Sequence, residues 1–280
     1  MESIRRYGVQ VPIAVYREKH GYILIDGERR WRCCRKLNRS TIPALVQKKP
    51  TALHNLLLMF NIHALREQWD LLTIALKLPT VIDLLRKELG KDPNEGELAA
   101  RTGLGRSVIR RCKLLMELPE QYRKMILEEL KKPKSRQKIT EDLFIEMERA
   151  LKTVERAMPE VVPDKDQVRD VLLTKFRDDV IPNRVHFRNM AKIARADRVG
   201  YDRDAAAMSL KRLFQNNTYS IQQAYESTVS EAYSERDVLS RINALVVKLK
   251  AYEADELDED LRSGLRLLVR VAEALLEDEA

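Results

Sequence analysis

"GYILIDGERRWRCCRKLN", Gly21 to Asn38, decides how the rest of this sequence is read. Alternation sends Tyr22, Leu24 and Asp26 to one side of a strand, and Ile23 and Ile25 to the other. Gly27 permits a sharp turn. "ERRWRCCRKL" then continues with helix-compatible residues, with Trp31, Cys34 and Leu37 or Arg35 at helical spacings. A strand, a tight glycine turn and a helix start form a natural anion site, because unpaired backbone N–H groups and the helix dipole both favour negative charge there. Arg29 and Arg30 fall in the first helical turn, where acids are the usual preference. A phosphate ligand would repair that misfit. A solvated basic helix face is the alternative reading.

Around this stretch, residues 8–47 read as a small α/β unit. "VQVPIAVY" is a strand with Pro12 near its start, "REKHG" a hairpin turn, "YILIDG" the return strand and "STIPALVQ" a third strand after the arginine helix. Beyond Pro50 the apolar spacing becomes helical. "ALHNLLLMFNIHAL" and "QWDLLTIALKL" each carry one apolar face, and "TVIDLLRKELG" is expected to start at a Thr80 cap and stop at Gly90.

"DPNEGELAARTGLGRSVIRRCKLLMELP", residues 92–119, opens with Asp92 as a cap and Pro93 in the first turn. A short helix, Gly103 and a second helix from near Arg106 follow. Ala99, Gly103, Ile109 and Cys112 sit at the offsets of a helix-turn-helix, whose second helix would expose Arg106, Ser107, Arg110 and Arg111. A helical hairpin with a solvated arginine face is the other reading. Cys112 reads as a small buried hydrophobe.

In "KKPKSRQK", five of eight residues are basic and a proline interrupts, which suggests a linker or hinge. Helices are expected over 139–158 and 166–178. "NRVHFRNMAKIARAD" offers another basic surface at Arg184, Arg188, Lys192 and Arg195, for which solvation is the usual explanation. Val238, Ile242, Leu245 and Leu249, then Leu261, Leu265, Leu268, Ala272 and Leu275, form two short apolar seams. They suit a hairpin within one chain or a dimer.

Composition narrows the class. Charged residues make up 34% and aromatics 6% of the 280 residues, as in a soluble, largely helical protein. No run of 18 apolar residues suggests a membrane span, and "MESIRRYGVQ" lacks the apolar core of a signal peptide. Cys33, Cys34 and Cys112 do not make a disulfide framework, which fits a reducing cytoplasm. The four histidines show no metal-ligand spacing. Residues 251–280 hold ten acids and three arginines, a net of −7, so the first 250 residues carry 48 bases and 33 acids, a net of +15. A basic body suggests a polyanionic partner, most simply nucleic acid.

"GYILIDGERRWRCCRKLNRSTIPALV" resembles the most recognisable segment of the ParB family of chromosome and plasmid partition proteins, in which a "GERRWRA" box follows a strand and precedes an "IPA" strand. "SIRRYGVQVPIAVY" is similar to that family's first box, and the helical pair ending in "LLMELPE" to its DNA-reading module. The resemblance covers about the first 130 residues. It implies an α+β chain with a ParB/sulfiredoxin-like N-terminal nucleotide-binding domain at 1–50. A helical helix-turn-helix DNA-binding domain would follow at 51–135, and a helical region at 136–280 would serve dimerisation or a partner. It further implies CTP, with Mg2+, bound between the first box at Gly8 and the box of Gly27, Glu28, Arg29 and Arg30, with Asn61 from a third box. The implied protein is a homodimeric, CTP-responsive clamp on double-stranded DNA that associates with the cytoplasmic nucleoid and a ParA-type ATPase.

Three departures are visible. In "GVQVPI", Val11 stands where the family has glutamine. In "FNIHALRE", Phe60 replaces an acid that would help hold magnesium, and arginine arrives only at Arg66. Few residues precede the first box, so the segment that engages the ATPase is expected to be short or absent. Two further readings remain: a transcriptional regulator without nucleotide switching, and a ParB-like nuclease using Asp26 and Glu28. Cys33 and Cys34 lie too far from Gly27 for sulfiredoxin chemistry.

Overall fold

The computed structural model describes residues 1–60, 69–253 and 257–277. Its contacts divide the chain into two units, Met1–Glu148 and Arg149–Ala280. The architecture is α+β, a small three-stranded sheet followed by helices.

The first unit opens with helix α1 (Glu2–Tyr7), strands β1 (Ile13–Glu18) and β2 (Gly21–Asp26), helix α2 (Glu28–Lys36) and strand β3 (Ala44–Gln47). Lys19 and His20 make the turn between β1 and β2, which pair antiparallel, while β1 and β3 pair parallel in the order β2-β1-β3. The first strand begins at Ile13 and not at Val9, because Pro12 has no N–H to give the ladder. Ile13 N donates instead to Pro43 O at 3.0 Å. Ile13 and Val15 are buried beneath α2 together with Cys34.

Helix α3 (Ala52–Met59) starts where the Thr51 side chain accepts from His54 N at 3.1 Å. Helix α4 (Leu71–Leu89) runs through Thr80 and corrects the expected cap there. The cap is Asp70, which accepts from Thr73 N at 2.6 Å, and Gly90 ends the helix in the left-handed region as expected. Pro79 lies inside α4 and forfeits one backbone hydrogen bond. Leu72, Ala75, Leu78, Val81 and Leu85 keep one buried face continuous across it.

Helices α5 (Glu95–Thr102) and α6 (Arg106–Met116) are joined by Gly103, Leu104 and Gly105. The cap of α5 is Asn94, which corrects Asp92. Asn94 Oδ1 accepts from Glu97 N at 2.9 Å while Glu97 Oε2 accepts from Asn94 N at 2.8 Å, so each residue satisfies the other's amide. Asp92 instead pairs with Arg86. Ile109, Cys112 and Leu115 bury one face of α6 against α4 and α5.

Helix α7 (Glu120–Leu130) leads into the basic segment 131–138, which is held in place. The almost fully buried Glu129 accepts from Lys138 N and from Lys132 Nζ, both at 2.6 Å. Helix α8 (Glu141–Ala157) contains the division between the units.

The second unit continues with α9 (Lys165–Arg177), α10 (Phe187–Ile193), α11 (Arg203–Gln215), α12 (Ile221–Glu226), α13 (Ser230–Leu249) and α14 (Glu259–Glu277). Leu151, Leu172, Phe187, Met190, Leu210 and Ile221 form its core. Lys175 is also buried, its Nζ donating to the Asn216 and Tyr219 carbonyl oxygens at 2.5 Å each, where the chain leaves α11. Both apolar seams are open: Val238 and Ile242 on α13, and Leu268 and Leu275 on α14, are exposed.

Candidate functional site

Gly27 is the hinge of the first site. It is buried, its φ of 99° is left-handed, and a Cβ placed there would lie 2.5 Å from Ile13 Cγ2. Only glycine satisfies both conditions. No side chain caps α2, so the strand delivers bare backbone N–H groups at the helix start.

A cavity of about 690 Å³ opens beside this turn. Gly27, Glu28, Arg29, Arg30 and Cys33 line one side, and Ser3 and Ile4 of α1 and Asn55 and Met59 of α3 line the other. Arg30 is committed: its Nη2 donates to Asp26 Oδ2 at 3.0 Å in a part-buried pair. Glu28 pairs with Arg32 on the surface at 2.6 Å. Arg29 is exposed and makes no ion pair among the described residues. The chamber thus combines free backbone donors, one uncommitted guanidinium and an opposite wall that mixes the apolar Ile4 and Met59 with the polar Ser3 and Asn55. Such a lining fits a ligand that carries phosphate at one end and a flat or apolar group at the other.

Gly8 does not line that cavity. It closes α1 with a φ of 75°, and its N–H donates to Ile4 O at 3.1 Å. Arg39 secures the same helix end, its Nη2 donating to Ile4 O at 2.9 Å. Asn61 lies outside the described residues. Phe60, which stands where the resemblance has an acid, is fully buried and edge-on to Trp69 with ring centroids 5.5 Å apart. The position contributes packing and no carboxylate, and the acids lining the chamber, Asp26 and Glu28, are both paired with arginines. The residues described therefore fit a phosphate-bearing ligand better than they fit a divalent cation. Ser3, Asn55 and Met59 carry no local pattern that marks them in the sequence. They join the site because the fold brings α1 and α3 to the cavity beside Gly27.

The second site is the outer face of α6. Arg106, Ser107 and Arg110 are exposed, while Arg111 is half-buried. Arg110 Nε donates to Glu95 Oε2 at 3.0 Å, and Lys113 approaches the same carboxylate at 3.8 Å. Arg111 pairs with Asp142 at the start of α8, so the structure joins it to a neighbouring helix. The sequence pattern groups all four residues, whereas their partners split them. At the base of α6, burial pushes the Cys112 thiol up to about 12, consistent with an inert core group whose Sγ faces Leu71 O at 3.8 Å.

A glycine-hinged, phosphate-compatible domain followed by a basic helical pair defines the class. Residues 1–61 match the family described as the ParB N-terminal domain. The chain is 28% identical over 218 residues to the stage 0 sporulation protein J of Bacillus subtilis, covering 71% of this chain and 73% of that one. It is 32% identical over 130 residues to the nucleoid occlusion protein of Geobacillus thermodenitrificans, covering 45% of this chain and 43% of the relative. A solved structure of a C-terminally truncated chromosome-partitioning protein ParB from Caulobacter crescentus, complexed with CTP-γ-S, is 25% identical over 45% of this chain and 68% of that one, with a TM-score of 0.20. Residues 1–61 are thus similar to a ParB N-terminal domain, and the likeness to the stage 0 sporulation protein J of Bacillus subtilis extends it along 71% of the chain.

Proposed function

We propose that this protein is a sequence-specific, dimeric DNA-binding protein of the partition class, whose N-terminal chamber binds CTP and couples it to a clamp on DNA. The observation that carries the reading is Arg29, exposed at the mouth of a chamber hinged on Gly27 and lacking a carboxylate partner among the described residues. Nucleotide phosphates would meet the α2 amides and the Arg29 guanidinium. Arg106, Ser107 and Arg110 would face the major groove, where a good arginine–guanine pair discriminates by about 1–3 kcal/mol. The open apolar seams on α13 and α14 favour pairing with a second copy. When bound, CTP would supply the differential contacts that bias the clamp, and this chain's residues would bind and orient it.

Genome-wide immunoprecipitation tests the reading. Peaks spreading over kilobases around a short motif are expected, and they should contract to the motif in Arg29→Ala. One observation favours a second reading, a site-bound regulator without a nucleotide switch: Phe60 is core packing where the family resemblance has an acid. Narrow peaks at promoters, unchanged in Arg29→Ala, would establish that alternative.

A further inference from the structure

Helix α10 and the turn after it read as an ordinary solvated basic surface, but the fold of the second unit gathers part of them around one tyrosine. Lys192 Nζ lies 4.9 Å from the centroid of the Tyr225 ring and 5.4 Å from that of Tyr233. Those two rings are 6.5 Å apart. Arg236 of α13 reaches back and donates from Nη1 to Arg198 O at 3.1 Å, which fixes its guanidinium beside the Arg195–Arg198 turn. Arg195 Nε is buried without a hydrogen-bond partner. Among the described residues, no carboxylate pairs with Lys192, Arg195, Arg198 or Arg236.

Four cations from α10, α13 and the intervening turn, left without counter-charges, call for an external anion. Burial pushes the Tyr233 phenol up, while the nearby Arg195, Arg236 and Arg198 pull the other way, so the hydroxyl stays protonated and able to donate. Arg184 and Arg188, from the same sequence run, already have partners and do not belong to the group. Lys192 and Arg195 are half-buried and Arg198 and Arg236 exposed, so the group grades from a dry edge to open solvent. That arrangement suits a charged strand passing over the surface better than a small ion enclosed in a cup.

We infer that Lys192, Arg195, Arg198, Arg236 and Tyr233 form a second DNA-binding surface, which grips backbone phosphates of the duplex without reading its sequence. The inference rests on the DNA-binding reading above and adds a site remote in sequence from α6. Phosphate interactions of this kind set affinity and salt dependence, whereas interactions with base edges set discrimination.

The test uses the full chain, a 30-base-pair random-sequence duplex and a second duplex enriched by selection, with affinities measured across a salt series. Because Arg198 and Arg236 are exposed and only the surface hydrogen bond from Arg236 to Arg198 O is lost, replacing both by glutamine should shift the thermal midpoint little. The double variant should bind both duplexes about tenfold more weakly at moderate salt. Its log–log salt slope should fall by about 0.9 for each phosphate no longer neutralised, with the ratio of the two affinities unchanged. Arg110→Ala should do the reverse and lower that ratio. If the double variant keeps wild-type affinity and slope while Arg110→Ala loses discrimination, the second surface is overturned and the DNA-binding reading stands. If the wild type binds neither duplex, the DNA-binding reading falls and takes this surface with it. A site that binds orthophosphate in the wild type and not in the double variant, with duplex binding unaltered, would be a free-phosphate site and would also overturn the inference.

Discussion

Asp26 and Arg30 are joined across Gly27 by an ion pair of 3.0 Å, and this pair separates the roles of two adjacent arginines. Arg30, in α2, is tied to Asp26 at the end of β2, so it supports the turn. Arg29, one residue earlier, lines the cavity and makes no ion pair among the described residues. The charge misfit in the first turn of α2 is thereby half resolved by the protein itself.

Arg29→Ala should therefore lose CTP affinity roughly 10–100-fold, the equivalent of one charged hydrogen bond of about 1.5–3 kcal/mol, with little change in thermal midpoint. Arg30→Ala should lose affinity and also some stability, at most about 1 kcal/mol for a half-exposed pair. Calorimetric titration alongside thermal unfolding separates the two. Equal stability losses would show that the arginines share one structural role.

Gly27→Ala combines a left-handed backbone with a 2.5 Å approach to Ile13 Cγ2. Strain of this kind costs about 1–3 kcal/mol, and Ile13 must also shift. Urea unfolding of the first unit should show a lower midpoint at an unchanged slope. Gly90→Ala, in the same unit, is a useful reference, with a left-handed φ of 69° and nothing within 4 Å of the added carbon, so it should cost less.

Arg110 and Arg111 should respond differently although they are neighbours. Arg110→Ala removes an exposed side chain from the outer face of α6, whose surface pair with Glu95 adds little stability, and should weaken a selected DNA site more than random DNA, by about 1–3 kcal/mol. Arg111→Ala breaks the half-exposed pair with Asp142 and should lower stability by about 1 kcal/mol, with DNA discrimination retained. Competition binding with both duplexes checks the first expectation and thermal unfolding the second.

The three thiols should label in a fixed order. Cys33 is partly exposed at the cavity beside Gly27, Cys34 is buried beneath the sheet, and the buried Cys112 thiol is pushed up to about 12. The thiolate is the reactive form, so native protein at pH 8 should take up one equivalent of a thiol reagent rapidly and the other two only on unfolding. Saturating CTP should slow the Cys33 reaction, as read by mass spectrometry. Rapid labelling of Cys112 would mean that the α4–α6 packing opens readily.

Lys175 gives a pH dependence. Burial pulls its ammonium down to about 8 from the ordinary 10.5. Between these values the unfolded chain binds more protons than the folded one, so stability relative to Lys175→Met should rise with pH across that window. It should be lost again as pH falls back toward about 8. The gap should change by on the order of 1–3 kcal/mol, less than the shift alone implies because two carbonyls accept from the ammonium. Denaturant unfolding at pH 7.5 and 9.5 reads it; a relative stability that falls with pH would contradict the assignment.

Features that depend on neighbours within a few residues were legible in the sequence. The alternation of "YILID", the glycine that ends it and the arginines that follow fix a strand, a turn and a helix start through local backbone sterics and charge. Gly103 and the buried spacing of Ile109 and Cys112 likewise place α5 and α6. Local signals misled where burial outweighed them. A capping threonine after a proline suggests a helix boundary at Thr80, but a continuous buried face holds α4 together through Pro79. Which residues from distant segments meet was settled by tertiary packing: α1 and α3 closing the chamber over Arg29, Asp142 engaging Arg111, and Arg236 reaching the turn at Arg195. These juxtapositions come from packing one apolar face on another. The pattern that drives such packing fixes which side of a helix is buried, but it carries no information about which polar groups come to lie side by side at its edge.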